Sequence, residues 1–168
     1  AETVMLESPV RDSKANGAAG AAERAVRSWG AQLRTIRHHV EKRMKTSIPK
    51  DSAMMTWFVS WAADVTFRYK VHSTGRTSHE WVTGHRCDQP VAGFAKKIHF
   101  KLTTDKNHGH KTNTEWSTGL FVGINGKTAE YLVATEEGIF SCATIRRLPD
   151  DESYDPKCIQ MINITYRE

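Results

Sequence analysis

Apolar side chains in the first part of the chain fall at Ala22, Val26, Trp29, Leu33, Ile36, Val40 and Met44. Steps of four and three place all seven on one stripe of an α-helix. The loop-type pair Asn16-Gly17 sets its start, and Ile48-Pro49 sets its end, because proline disfavours a helical residue before it. Gly30 inside this helix costs about 1 kcal/mol against alanine and marks a bend or a close contact. Asp51 or Ser52 then caps a second helix with apolar positions Met54, Phe58, Trp61, Ala62, Val65 and Tyr69. A short third helix opens at Thr77 or Ser78, with Glu80 early in it and Gly84 stopping it.

After Pro90 the period shortens. Phe94, Ile98, Phe100 and Leu102 read as one strand, and residues 103–114 as an exposed polar loop. Further strands are expected near residues 120–124, 130–134, 139–145 and 159–166. Asn125-Gly126 and Glu137-Gly138 mark hairpin turns between them. Five short strands in so small a space suggest a twisted barrel or open sheet. The expected fold class is α+β, with a helical part over residues 1–88 and a β part over 89–168.

Composition narrows the class. With 39% hydrophobic and 26% charged residues the chain reads as soluble and globular, not fibrous or disordered. Its most apolar window, residues 54–65, is too short for a bilayer and is broken by Thr56, Ser60 and Asp64. Ala1 is followed by no basic-then-apolar signal segment, so the expectation is a chain that begins inside a longer protein. Cys87, Cys142 and Cys158 are odd in number and never form C-x-x-C, which argues against a disulfide framework or a zinc finger. A reducing compartment, nucleus or cytoplasm, follows. The sequon Asn163-Ile164-Thr165 is then a chance match.

Charge changes the picture more. Residues 1–88 carry 14 basic and 9 acidic groups, and residues 89–168 carry 10 of each, so the whole excess of +5 lies in the first half. Residues 24–50 alone hold Arg24, Arg27, Arg34, Arg37, Lys42, Arg43, Lys45 and Lys50 against Glu41. A stripe of that density suits a polyanion, with salt-dependent binding to phosphates.

Three segments carry a family resemblance. Ser13, Asn16, Gly17, Ala22, Glu23 and Arg24 resemble the S-x-x-N-G loop and A-E-R helix start that close a copia-type retrotransposon integrase core. Gly75, Thr77, Glu80 and Gly84 are similar to the G-x-T-x-x-E-x-x-x-G element that follows the core's last helices. Gly119-Leu120-Phe121-Val122-Gly123, Glu130-Tyr131-Leu132-Val133 and Cys142 to Arg147 resemble the SH3-like β domain placed after integrase in such polyproteins. The resemblance implies the end of an RNase H-like core followed by an SH3-like barrel.

It further implies a function. Glu23 would be the last of three catalytic carboxylates and a ligand of Mg²⁺ or Mn²⁺ in the intact parent. Such enzymes move phosphodiester bonds with two metals ~3.5–4 Å apart, and hard cations want carboxylate oxygens on a rigid frame. Lys14, Arg24, Arg27, Arg34, Arg37 and Arg43 would hold DNA, the element ends and the target. Self-association and the upstream half of the core are the other implied partners, with no membrane. The chain departs from the family in reading N-G-A-A-G-A-A-E where N-G-x-x-E is usual, as if Gly-Ala-Ala were duplicated. The two partner aspartates belong upstream, and Asp12 is too close in sequence to replace either. By itself the chain is therefore expected to bind nucleic acid without turnover and without holding metal tightly. Alternatives are a non-catalytic nucleic-acid or protein binding module and an inactive relic of a mobile element.

Other candidates are weaker. His38-His39 and His108-x-His110 lack further ligands at metal spacing. Cys87 and Cys142 lack a base partner, and Trp57, Trp61 and Trp81 suit packing.

Overall fold

The computed structural model describes residues 17–101 and 116–162, the side chains of residues 17–19, 160 and 161 excepted. Lys14, Asp12, His108, His110, the 163–165 sequon and the whole of the predicted 103–114 loop lie outside the described residues. Three helices and a five-stranded antiparallel sheet give an α+β protein: α1 (Gly17–Met44), α2 (Met54–Tyr69), α3 (Ser78–Thr83), β1 (Lys97–Lys101), β2 (Ser117–Ile124), β3 (Tyr131–Thr135), β4 (Gly138–Cys142) and β5 (Thr144–Arg147).

The apolar stripe of α1 is buried only in its second half: Val40 and Met44 are fully buried and Leu33 and Ile36 pack against the same core, whereas Ala22 is exposed and Val26 is 64% exposed, contrary to the expectation for the whole stripe. Gly30 meets no helix backbone; the Arg34 guanidinium lies over it, 3.5 Å from where a Cβ would stand. Lys45, with φ 51, reverses the chain after α1. The N–H of Thr46 donates to the Glu41 carbonyl at 3.2 Å, a helix-ending bond of the Schellman type. The N-cap of α2 is Ala53 and not the expected Asp51 or Ser52, although Ser52 Oγ, one residue earlier, accepts from Met54 N–H at 3.3 Å. α2 then runs back along α1, and Lys70 Nζ donates to Ser28 Oγ at 2.6 Å at the far end.

The G-x-T-x-x-E-x-x-x-G element is a local folding unit in which each motif residue meets a backbone demand. Gly75 turns with φ 78 and Gly84 closes α3 with φ 82, both in the left-handed region. Between them Thr77 Oγ1 accepts from Glu80 N–H at 3.1 Å, and Thr77 N–H donates to Glu80 Oε2 at 2.6 Å. That is the capping box read from the sequence.

The sheet order is β4-β3-β2-β1-β5. Here the structure corrects two sequence readings. Residues 139–145 are not one strand: they break at Ala143 into β4 and β5, which occupy opposite ends of that order. Because one residue spans at most about 3.8 Å between Cα atoms, the two sheet ends meet at this corner and the sheet must curl on itself. Residues 159–161, expected to start a strand, belong instead to a 3₁₀ turn over Pro156–Met161; Pro156 leads it and Asp155 Oδ1 accepts from Lys157 N–H at 3.0 Å. The first strand is also shorter than expected, because Ala95 turns with φ 58 before Lys97.

The β2–β3 connection is a hairpin, built through Asn125 Oδ1 accepting from Lys127 N–H at 2.9 Å, with Ala129 at φ 58. Gly119 lets β2 and β3 approach: an added Cβ would stand 2.5 Å from Val133 Cγ1 and 2.8 Å from the Ala134 carbonyl oxygen. Register places Ile98, Phe100, Phe121, Val133 and Phe140 on one side of the sheet, which is the inner one. On it α2 packs, with Trp61 edge-on to Phe121 at 5.1 Å, while Phe58 meets Phe94 at 4.6 Å. One hydrophobic cluster thus runs from Val40 to Ile162 across the 88/89 boundary.

Candidate nucleic-acid interface

At about 1.5 Å per residue, α1 is about 42 Å long. Turning roughly 100° per residue, Arg24, Arg27, Arg34, His38 and Lys42 share the side opposite Val40 and Met44, and all five are exposed. From Arg24 to Lys42 this face extends about 27 Å, enough to follow several phosphates. Lys42 was outside the sequence-chosen set, although its four-residue step from His38 was there to be counted. His39 lies on the neighbouring flank, where its Nε2 is 3.2 Å from the Tyr154 hydroxyl. Burial, then the Arg43, Lys96 and Lys42 cations, hold its imidazole below the ordinary 6.5. Lys96, the cation of the β part beside this flank, is itself paired with Asp150.

Arg43 leans over the Tyr154 ring, its guanidinium carbon 5.8 Å from the centroid. Arg37 differs from the other predicted contacts. Half-buried, it donates through Nε to Glu41 Oε1 at 3.0 Å and through Nη2 to the Ile48 carbonyl at 2.7 Å. Glu41 Oε1 also accepts from Ile48 N–H at 3.0 Å, so both backbone groups of Ile48 are held. That hydrogen bond first, and Arg37 after it, holds the Glu41 carboxyl below its ordinary range. Arg37 secures the turn between α1 and α2.

Glu23 is not at the head of its helix. α1 begins at Gly17 and continues through the Gly-Ala-Ala repeat, leaving its first turn without an acid and putting Glu23 in the second. The Gly-Ala-Ala repeat is itself helical, and the helix-dipole effect fades beyond the first turn. Glu23 is 72% exposed and pairs with Arg27 at 3.4 Å, an exposed i,i+4 contact of the kind that contributes roughly 0.2–0.5 kcal/mol.

Mg²⁺ is usually held through one or two protein carboxylates, with water and substrate phosphate completing its octahedron, and a two-metal site needs such carboxylates around both ions. Among the described residues no group of three or more His, Cys, Asp or Glu is placed to hold a metal. Trp57 and Trp61 are buried in the core, as expected of packing residues, whereas Trp81, expected to pack as well, is 60% exposed with Arg76 over its ring at 5.6 Å. Cys142 is buried and its thiol is pushed up to about 11, chiefly by burial, which makes it a poor nucleophile. No helix among the described residues is long and apolar enough to cross a membrane. Compared with known protein families, curated proteins and solved structures, the chain matches none.

Proposed function

We propose that this chain derives from a copia-type retrotransposon integrase and that its own activity is to bind nucleic acid along the solvent face of α1. The intact parent would join element DNA to a chromosome, and the helical and β parts would correspond to the end of an RNase H-like core and an SH3-like domain. The observation that supports the binding reading is the single exposed face carrying Arg24, Arg27, Arg34 and Lys42, on the side of α1 away from Val40 and Met44. Arg27 is held only by an exposed pair with Glu23, which a phosphate can displace.

The test is duplex affinity against salt. Four phosphate contacts give a slope of log K on log salt near about −3.6, and replacing Arg27 and Arg34 by Gln together flattens it by about 2. A slope near zero in the wild-type chain would overturn the reading. Strand transfer assayed on this chain with Mg²⁺ or Mn²⁺ addresses the parentage: sustained turnover would contradict a lone inherited Glu23.

A further inference from the structure

The sheet has a second side. Antiparallel register puts residues directly opposite one another on the same side, so His99 stands in a row between Thr118 and Arg146. Alternation along β1 and β5 adds Lys97, Lys101 and Thr144 to that side. None of these side chains is acidic. At the edge of this surface the Arg146 guanidinium lies over the Trp116 ring, 4.2 Å from its centroid. Arg146 is exposed and Trp116 is partly covered. Among the described residues no carboxylate pairs with Arg146.

A guanidinium lying over an indole at this distance presents a cationic plane and N–H donors beside an aromatic ring. Nucleobases stack on such planes in single-stranded complexes, and every base offers a π-face, so the contact is tolerant of sequence. In a duplex the bases are already stacked on one another and only the phosphates are offered. Lys97, with His99 held to Thr118 Oγ1 at 3.0 Å, supplies the adjoining positive and polar surface along which a backbone can run.

We propose that this outer side of β1, β2 and β5 is a site for unpaired nucleic acid, with a base stacked on the Arg146–Trp116 platform and the flanking phosphates beside Lys97. The site shares with the α1 face only the class of its partner. Either surface can fail while the other stands.

The decisive variant is Arg146→Lys, which keeps the charge and removes the plane. Fluorescence anisotropy with labelled oligo-dT, a blunt duplex and an abasic strand of equal length separates stacking from charge. The expected result is a loss of about ten-fold on oligo-dT, within the range of one lost base stack, and less than about two-fold on the duplex. The abasic strand should bind the wild type about ten-fold more weakly than oligo-dT and be indifferent to the variant. Trp116→Phe, which keeps a ring under the guanidinium, should hold most of the oligo-dT affinity. Unchanged oligo-dT binding by Arg146→Lys would overturn the proposal, as would equal losses on duplex and single strand, or an abasic strand bound as tightly as oligo-dT. Arg27→Gln with Arg34→Gln, measured on the same probes, should weaken the duplex first.

Discussion

Lys45 occupies the left-handed region, φ 51, at the one position after α1 where the Schellman bond requires it. A side chain with a Cβ is strained there by roughly 1–2 kcal/mol, while glycine is not. Lys45→Gly should therefore raise stability by roughly 1 kcal/mol, less the extra chain entropy that glycine brings to the unfolded state. Urea unfolding measures this as a higher midpoint at constant slope; a lower midpoint would mean that the Lys45 side chain makes a contact outweighing the strain. At the same scale, residues that look alike in sequence separate. Arg34 is exposed on the outer face of α1, whereas Arg37 is bound to Glu41 and the Ile48 carbonyl. Three residues of helix, nearly one turn, carry one guanidinium to solvent and the other to a loop.

Among the elements, α3 shows how a short helix is stabilised. With six residues it cannot depend on propensity, and it relies on the Thr77–Glu80 box and on Gly84. Thr77→Ala should cost about 1 kcal/mol, read from the unfolding midpoint, and an unchanged midpoint would show that α3 is held from elsewhere. The box also makes the protein acid-sensitive. The Thr77 N–H bond, followed by the Arg86 side chain, holds Glu80 below its ordinary 4.5. A depressed carboxylate contributes stability that is complete above the unfolded value and is lost as pH falls through the folded one. Glu41 and Asp150 carry the same sign, held low by the Ile48 backbone bond and by Lys96 respectively. Asp64, pushed up by burial beside Arg68, works in the opposite direction and softens the loss. Stability should thus fall steadily below about pH 4.5, with Glu80→Gln less stable than wild type at neutrality and converging with it in strong acid. A constant gap between the two down to the lowest pH would remove Glu80 from that account.

At the scale of the whole molecule, the helical hairpin and the curled sheet share one hydrophobic cluster. Trp61, on α2, reaches it through Phe121 of β2. Truncating a buried aromatic of this kind costs about 3–5 kcal/mol. Trp61→Ala should lower stability by that order, and the wild-type chain should unfold in one transition seen alike by far-UV dichroism and tryptophan fluorescence. Two separated transitions would mean that the α and β parts are independent units. The two positive surfaces follow from the same arrangement: packing α2 between α1 and the sheet leaves the basic face of α1 facing water and, on the outer side of the sheet, Lys101, Thr118, Thr144 and Arg146 exposed, while Leu120 on that side is covered.

Periodicity and caps were enough to place the three helices, because an apolar stripe at 3.6-residue spacing, Ser52, the Thr77–Glu80 pair and Gly84 each act within a few residues of themselves. The α+β class and the hairpin turns were legible for the same reason. The break at Ala143 was not, since one apolar run can serve two strands and only pairing partners decide where each goes. Nor was the 3₁₀ turn at Pro156, where a proline and an aspartate cap set the local conformation ahead of Ile159. For the site, the basic stretch of residues 24–50 was plain in the sequence, but which arginines face water depended on where Ile48 comes to rest. Trp116 and Arg146 are thirty positions apart, with their strands separated by β1, and only the folding of the sheet stacks them. Local chemistry is written along the chain, whereas a contact between distant residues exists only once the core has fixed the geometry between them.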